Sequence, residues 1–401
     1  MNDTKDQSPD GASILRLKLA AAENQGQADD ATGDGTDAAP APGTGAANQG
    51  DENKTNITFS GGLAGFLSSN NVSLAFTSYQ TGRLYFFGHG VDGKLALHEA
   101  LYPQAMGVAG DANRVYLGTL TSVVRMENVL GPGQLANKKH DKVFVPRNFQ
   151  TTGAVDIHEL GVRKNGRIVF VNTKYSCICE PSLTHSFKPV WKPSFISKIV
   201  GEDRCHLNGL AMVDGEPRYA SAVCRSDVVD GWRDRRHDGG IIIDMQSDEI
   251  VAEGLSMPHS PRWHDGRLWV LNSGTGELGW IDADTKRFQP FAFCPGFLRG
   301  LSFFAGHAIV TLSKPRYGRF EGLALDGAMK EKDADAWCGV QIISLSTGNV
   351  AQWVRFDGAI QELFDVCALP GVKDAITLGP QSAELRDFIT IEAPDWAIER
   401  Q

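Results

Sequence analysis

The chain has 401 residues, 42% of them hydrophobic, with 44 glycines and 8 tryptophans, which is enough apolar material for a large folded body with many turns. Its formal net charge of −9 argues against a nucleic-acid partner, because such proteins usually present a basic face. No segment approaches the roughly 18 consecutive apolar residues of a transmembrane helix, so we also expect no membrane partner.

The cellular compartment is indicated by the N-terminus and the cysteines. The first residues lack a basic stretch followed by an apolar segment, so we expect no secretory signal. Seven cysteines, an odd number spread along the chain, fit a reducing compartment better than a disulfide framework. We predict a cytoplasmic protein, and the sequence does not indicate its oligomeric state.

The first predicted element is a low-complexity tail, residues 1–54, rich in Ala, Gly, Asp, Asn, Gln and Thr. Such a composition buries too little apolar surface to offset the entropy of ordering, so the tail is predicted to be disordered. Residues 14–19 are a short apolar and basic exception, for which we expect a transient turn. Residues 55–395 are predicted to form a single domain.

One unit recurs along that domain: a short apolar segment, a turn, and a β-rich run that ends in small polar residues. The clearest copies are residues 157–173, 205–222 and 258–273, and the weaker ones are 62–78, 104–119, 297–313 and 362–379. Each copy predicts two antiparallel strands. Asn165-Gly166, Asp214-Gly215 and Asp265-Gly266 supply residues that tolerate the positive φ of hairpin turns.

Two more strands follow most copies, for example at residues 239–245 and 249–255. Recurring groups of four strands are typical of a β-propeller. Seven starts of inner strands predict seven blades, with residues 56–60 as the missing outer strand of the seventh, which would close the ring. A six-bladed propeller is the alternative, because the copy that begins at Gly62 is the weakest.

The repeat also predicts which residues meet at the axis, where the inner strands of all blades begin. We aligned the copies on their Gly-apolar pairs, such as Gly161-Val162 and Gly209-Leu210. The resulting axial ring is Gly62, Gln104, His158, His206, His259, Phe297 and Glu362. Three of the ten histidines thus fall in three consecutive blades.

Three imidazoles with a carboxylate are typical ligands of a catalytic Zn, Fe or Cu ion. The predicted ligands are His158, His206, His259 and Glu362. Glu362 is alternatively an acid or base facing a metal-bound water, and Asp156 and Glu159 are predicted to orient His158. A polar plug, or a ligand pocket without metal, remains the alternative.

Further residues are predicted to lie on the same face. The predicted substrate-binding residues are Gln104, Lys174, Tyr175, Arg225, Arg233, Lys314, Arg316 and Tyr317. Arg299 is predicted as a buried anion clamp, and Asn208 takes the equivalent place beside His206, so both join Glu362 as candidate catalytic residues. Arginines interleaved with aromatic residues suit the carboxylate or phosphate of a small molecule or peptide.

The segments HLNGLA (206–211) and MPHSPRWHDGRLWVLNSGTGEL (257–278) resemble an uncharacterised bacterial family known as a domain of unknown function. The resemblance extends over residues 66–379 and implies a propeller. The histidine-bearing strands are also similar to those of propeller enzymes that bind iron through histidines, such as carotenoid cleavage oxygenases, which have four such histidines where three are found here. A weaker similarity concerns gluconolactonase-type propellers, whose sites are rich in carboxylates and bind calcium.

Two functional hypotheses follow. The first is a metal-dependent enzyme, an oxidoreductase rather than a hydrolase, that acts on a small polar or peptidic anion at the axis. The second is a non-catalytic propeller that binds a ligand or peptide. The sequence has no Walker loop, G-x-S-x-G elbow or H-E-x-x-H motif, which disfavours nucleotide hydrolysis, triad hydrolysis and zincin chemistry.

Overall fold

A computed structural model describes residues 13–18, 54–90, 92–316, 318–320 and 322–392. Residues 1–12 and 19–53 of the predicted tail lie outside these ranges. Inside the tail, β1 (Ser13–Lys18) is a strand where the sequence predicts a transient turn, and it pairs antiparallel with β2 (Lys54–Phe59).

The rest of the domain is built almost entirely from short strands. In chain order they are β3 (Val72–Ser78), β4 (Arg83–His89), β5 (Leu95–Leu101), β6 (Val108–Gly110), β7 (Arg114–Gly118), β8 (Ser122–Asn128), β9 (Lys142–Thr151), β10 (Ile157–Val162), β11 (Ile168–Asn172), β12 (Cys177–Glu180), β13 (Lys188–Trp191), β14 (Leu207–Val213), β15 (Glu216–Ala222), β16 (Gly240–Asp244), β17 (Ile250–Leu255), β18 (Pro258–His264), β19 (Arg267–Asn272), β20 (Glu277–Ile281), β21 (Phe288–Phe293), β22 (Phe297–Phe304), β23 (His307–Ser313), β24 (Cys338–Ser344), β25 (Val350–Asp357), β26 (Val366–Pro370) and β27 (Ala375–Thr377).

Helices are few and short. Helix α1 (Leu63–Ser69) precedes β3, and α2 (Ala324–Glu331) lies between β23 and β24. Single 3₁₀ turns occur at Arg233–Arg235 and Ala383–Arg386. No helix in the described ranges is long and apolar enough to cross a bilayer.

The strands form six sheets, which are the blades of a β-propeller. Blade 1 has the order β26-β3-β4-β5, blades 2 to 5 are β6–β9, β10–β13, β14–β17 and β18–β21, and blade 6 is β22–β25. Each inner strand contacts the next, from β6 through β10, β14, β18 and β22 to β26 and back to β6. The propeller prediction is confirmed in its six-bladed form.

Seven blades is wrong because blade 1 is assembled from both ends of the domain. Its inner strand is β26, in the register Val366↔Phe76 to Pro370↔Val72, so the segments predicted to start the first and seventh blades belong to one sheet. Gly62, predicted at the axis, instead precedes α1. The predicted closing strand at residues 56–60 exists as β2, but it pairs with β25 at the outer edge of blade 6.

The predicted hairpin turns are largely confirmed. Asp214-Gly215 and Asp265-Gly266 have positive φ at both residues (50° and 71°, 48° and 74°), as primed turns require. At Asn165-Gly166 only the glycine has a positive φ, 76°. Ala305-Gly306 has the same primed geometry (48° and 71°), although alanine gives no sequence signal for it.

The apolar core lies between the blades and away from the axis. One buried cluster fills each of the six interfaces, and the cluster between blades 6 and 1 contains Val340, Val354, Phe76 and Phe87. Middle strands are therefore buried on both faces; β3 is buried at every position. This explains why such strands appear in the sequence as continuous apolar runs rather than alternating ones.

A charge network occupies the axis itself. The guanidinium of Arg262 on β18 donates to Glu159 on β10, and its Nη2 lies 3.7 Å from Oδ1 of Asp365, next to β26. Its Nε donates to the carbonyl oxygen of Leu301 on β22 (2.9 Å). Both carboxylates are only 2% exposed. One cation thus links the inner strands of blades 1, 3, 5 and 6.

Burial raises the pKa of both carboxylates against the opposing effect of Arg262, to about 7 for Asp365. Glu159 also accepts hydrogen bonds from the Leu210 N–H and from the Ser260 hydroxyl (2.9 Å). Glu159 is therefore committed to the axial network and does not orient His158 as predicted.

Candidate functional site

The site is built where the inner strands begin, next to the axial network. In three consecutive blades the residue directly before the inner strand has a left-handed backbone: Asp156, His206 and Met257, with φ of 55°, 49° and 49°. The strand pairing also shows that these three inner strands start at equivalent positions. Ile157, Leu207 and Pro258 each pair with the last residue of the second strand of their blade.

This register makes His158, Asn208 and His259 equivalent, each being the second residue of its inner strand. His206 lies two positions earlier. The alignment on Gly-apolar pairs was wrong for blade 4 and for blade 6, where Phe297 is the first residue of β22 and pairs with Ser313, the last residue of β23. The reason is that β-bulges near the start of the inner strands fall at different residues. The three histidines nevertheless meet on the same face.

His158 is held in a defined tautomer. The Thr173 hydroxyl donates to the carbonyl oxygen of Leu207 (2.6 Å), so at the 2.8 Å contact with His158 it accepts the proton of Nδ1. Burial, and then the charges of His206, His259 and Arg299, lower the pKa of His158 well below its usual range. The ring is therefore neutral, with the lone pair on Nε2.

His259 in blade 5 repeats this arrangement. Its Nδ1 donates to the carbonyl oxygen of Met257 (2.9 Å) and lies 3.0 Å from the Ser273 hydroxyl. Burial, followed by the charge of Arg299, lowers the pKa of His259 to about 3. Thr173 and Ser273 are each the first residue after the second strand of their blade, so the same position supports the imidazole in both.

His206 has a different partner. Its Nδ1 lies 2.7 Å from Oδ2 of Asp203, and its ring packs against that of Trp232, with 4.1 Å between centroids and a 30° angle between the planes. The His158 ring meets it edge-on at 5.2 Å. The side chain of His206 keeps 15% of its surface exposed. An imidazole oriented by a carboxylate in this way can accept a proton at Nε2.

Arg299 on β22 lies in an aromatic surround next to these histidines. Its guanidinium carbon is 5.0 Å from the ring centroid of Phe297, 5.3 Å from Phe364 and 5.6 Å from Tyr79, distances at which cation–π attraction operates. Phe364 also contacts the ring of His158 at 5.3 Å, as Phe297 contacts His259 at 5.4 Å. The cation and the imidazoles therefore share aromatic neighbours.

Glu362 is buried and multiply bonded. It accepts a hydrogen bond from the Tyr79 hydroxyl (2.6 Å) and one from Arg316 Nε (3.0 Å), and Arg299 Nη2 lies 3.6 Å away. Tyr79 is the first residue after β3, the position that Thr173 and Ser273 occupy in their blades. The side chain of Glu362 thus contacts two arginines and a tyrosine, and its predicted role as a metal ligand or acid/base stays a prediction.

The other predicted residues separate into two groups. Near the site are Asn208, whose Nδ2 donates to the carbonyl oxygen of Pro258 (3.2 Å), and Arg233, which stacks on Trp232 at 4.8 Å. Gln104 has a left-handed backbone, φ 52°, at the start of blade 2.

The second group has partners elsewhere. Tyr175 contacts Phe187 (5.1 Å) and, with Lys174, lies beside Gly201. Arg225 lines a separate cavity of about 230 Å³, and Lys314 pairs with Asp357 at 3.2 Å. Tyr317 lies outside the described residues. A larger cleft, about 520 Å³, lies between blades 2 and 3 and includes none of the axial residues.

The predicted metal site would use the imidazoles of His158, His206 and His259. Among the described residues, no group of three or more His, Cys, Asp or Glu side chains could hold a metal ion as they stand. The imidazoles of His158 and His259 do leave Nε2 uncommitted, which is the state of a metal-ligating histidine whose other nitrogen is hydrogen-bonded.

Sequence reasoning missed Asp203, Tyr79 and Phe364. Asp203 stands three residues before His206 in a loop, a weak signal at best. Tyr79 directly follows the copy at residues 62–78, whose second predicted strand is β3, and it was missed because the loop after that strand was not considered. Phe364 was missed because only Glu362 was considered in that segment.

The chain belongs to the family described as Domain of unknown function (DUF4915), which matches residues 61–378 and confirms the resemblance to an uncharacterised family. No curated protein matches the sequence significantly. Among solved structures, a nidogen/laminin complex is similar with a TM-score of 0.49 and 12% identity, covering 75% of this chain and 99% of that one. Virginiamycin B lyase from Staphylococcus aureus is similar with a TM-score of 0.36 and 10% identity, covering 71% of this chain and 76% of that one. A likeness at this level carries no information on function.

Proposed function

We propose that this DUF4915 propeller binds a small organic anion, a carboxylate or a phosphate ester, at the axial site. The main support for this proposal is the position of Arg299. Arg299 shares the ring of Phe364 with His158 and the ring of Phe297 with His259, so the cation lies beside two imidazoles. Burial, and to a lesser extent the charge of Arg299, lower the pKa of both histidines, so both rings are neutral. An anion placed there gains a charge-assisted hydrogen bond without displacing a protonated histidine.

The local charge supports an anionic ligand, although the whole chain carries −9. Arg299 and Arg316 both contact the carboxylate of Glu362, so two cations meet one anion on this side of the site. Phe297, Phe364 and Tyr79 surround the cation and lower the dielectric there, which strengthens its attraction for an anion.

The test is calorimetric titration of the full chain with acetate, benzoate, phosphoglycolate and neutral amides of the same shape. Wild type should bind anions and not amides. Arg299→Met keeps the packing against the aromatic rings and should weaken anion binding by roughly tenfold or more, since a hydrogen bond between charged groups contributes about 1.5 to 3 kcal/mol.

The matched control is Arg386→Met, which removes an exposed guanidinium whose side chain is 80% exposed and pairs with Asp387. This variant should bind anions as wild type does. Equal affinities in wild type and Arg299→Met, or equal affinities for anions and amides, would refute the proposal.

A metal-dependent oxidoreductase is the second candidate, favoured by the uncommitted Nε2 of His158 and His259 and by the nearby His206–Asp203 pair. Metal content after expression with Fe, Cu and Zn decides it. Less than about a tenth of an equivalent of any of the three would remove this candidate, and stoichiometric metal lost in a His158→Ala, His259→Ala double variant would support it.

The cytoplasmic location stays a proposal. It is supported by the free state of all seven cysteines, which include the close buried pair Cys177 and Cys179 with sulfur atoms 3.4 Å apart. Fractionation of cells that express the tagged chain would test it.

A further inference from the structure

We infer that the anion bound at the axial site carries hydroxyl groups and no ammonium group, so that its class is a small hydroxy acid. The inference rests on the proposed function and adds the chemical class of the ligand. It is carried by three hydrogen-bond acceptors at equivalent positions of consecutive inner strands.

Two acceptors are imidazole nitrogens. His158 and His259 both commit the Nδ1 proton inside the protein, to Thr173 and to the carbonyl oxygen of Met257. No donor among the described residues reaches the Nε2 of either ring. Each ring therefore offers one neutral acceptor, which a hydroxyl group satisfies by donating its proton.

The third acceptor is the side-chain oxygen of Asn208, which is only 2% exposed. Because its Nδ2 donates to the carbonyl oxygen of Pro258, the residue next to His259, Oδ1 is the free end of the amide. Oδ1 is buried and meets no donor within the described ranges. Buried acceptors normally have a partner, so this one indicates a donor supplied from outside.

The three acceptors belong to one arc around the axis. His158, Asn208 and His259 each stand two residues after a left-handed residue and second in their strand, in blades 3, 4 and 5. A ligand at the axis that carries two or three hydroxyl groups matches this number of acceptors.

An ammonium group would also donate protons, but the charges disfavour it. Arg299 shares Phe364 with His158 and Phe297 with His259, so it lies beside both imidazoles and would repel a second cation. Two nearby carboxylates already have hydrogen-bond partners: Glu362 accepts from Tyr79 and Arg316, and Asp203 contacts His206. Neutral hydroxyl donors avoid this repulsion.

The experiment compares propionate, lactate, glycerate and alanine by calorimetry with the full-length protein in EDTA. Affinity should rise from propionate to lactate to glycerate by roughly three- to tenfold per hydroxyl, the range of a net hydrogen bond. Alanine, which replaces the lactate hydroxyl with an ammonium, should bind at least tenfold more weakly than lactate.

Asn208→Leu removes the unpaired acceptor at nearly constant volume and should lower the ratio of glycerate affinity to lactate affinity relative to wild type. A second readout is ¹⁵N NMR of labelled histidine: lactate should shift the Nε2 resonances of His158 and His259, and propionate should not. Arg386→Met again serves as the distant control.

Equal affinities for propionate and lactate, or alanine binding as well as lactate, would overturn the hydroxy-acid inference and leave anion binding intact. Binding of hydroxy acids only after a metal is added would also overturn it, because the hydroxyls would then contact the metal. If no carboxylate binds to wild type, both this inference and the proposed function fail.

Discussion

Replacing Arg262 with Met tests whether one cation holds the axis together. Methionine has a similar length but leaves Glu159 and Asp365, both 2% exposed, without their common counter-charge. It also removes donors from the carbonyl oxygens of Leu301 (2.9 Å) and Pro261 (3.0 Å). Breaking a buried ion pair from one side costs about 3 to 5 kcal/mol of unfolding free energy.

The lower part of that range is expected, because both carboxylates retain other donors. Glu159 keeps the Ser260 hydroxyl at 2.9 Å, and Asp365 keeps the N–H groups of Val108 and Val366 at 2.9 and 2.8 Å. Since the pKa of Asp365 is about 7, the aspartate becomes increasingly neutral below that pH. The loss of stability should therefore be larger at pH 8 than at pH 6.

The assay is urea unfolding followed by tryptophan fluorescence at both pH values. The triple variant Arg262→Met, Glu159→Gln, Asp365→Asn removes all three charges and should recover at least half of the loss. Lys94→Met is the control, because Lys94 and Asp92 pair at 3.0 Å with side chains 69% and 53% exposed, and this variant should unfold as wild type does. A loss below about 1 kcal/mol for Arg262→Met, or no recovery in the triple variant, would refute the reasoning.

Three further outcomes are expected. The pKa of His259 in the folded protein is about 3, below the ordinary 6.5, so its neutral ring contributes stability above pH 6.5 that is lost as the pH falls. His259→Gln should therefore flatten the decline of the thermal midpoint between pH 6.5 and 4. An unchanged slope would contradict a buried neutral ring. Ala368→Pro removes the N–H that donates to the Ser302 hydroxyl (3.2 Å) and interrupts β26. It should cost about 1 to 3 kcal/mol of unfolding free energy and make blade 1 sensitive to protease, whereas Thr390→Pro should do neither. Deleting residues 1–50 should leave the thermal midpoint nearly unchanged in scanning calorimetry, and a drop of more than a few degrees would show that β1 contributes to stability.

The repeat gave the propeller correctly because the hairpin unit is local. Asp214-Gly215 and Asp265-Gly266 mark their turns within two residues, and the strands on either side are adjacent in sequence. The blade count depends instead on the pairing of β26 with β3, which joins segments about 290 residues apart and has no local signal.

The site was predictable in part for the same reason. The three histidines meet on one face because each stands at the start of an inner strand, whatever the exact register. The exact register of the axial residues depends on the position of the bulge in β10, β14 and β18, and residue type does not predict that position. Partners from loops, such as Asp203 and Tyr79, depend on how blades pack against each other.

The shared construction of blade 1 has a consequence for synthesis. While the chain is being made, β3, β4 and β5 emerge early, but the strand that completes their sheet, β26, emerges only after the five other blades. Until then β3 has an unpaired inner edge and the ring is open. Glu362 and Phe364 stand just before β26, so the arginine-binding side of the axial site is also made last. A ribosome that stops short of residue 370 therefore releases an open arc with an exposed strand edge and an incomplete site, a product prone to association and suited to removal by proteolysis.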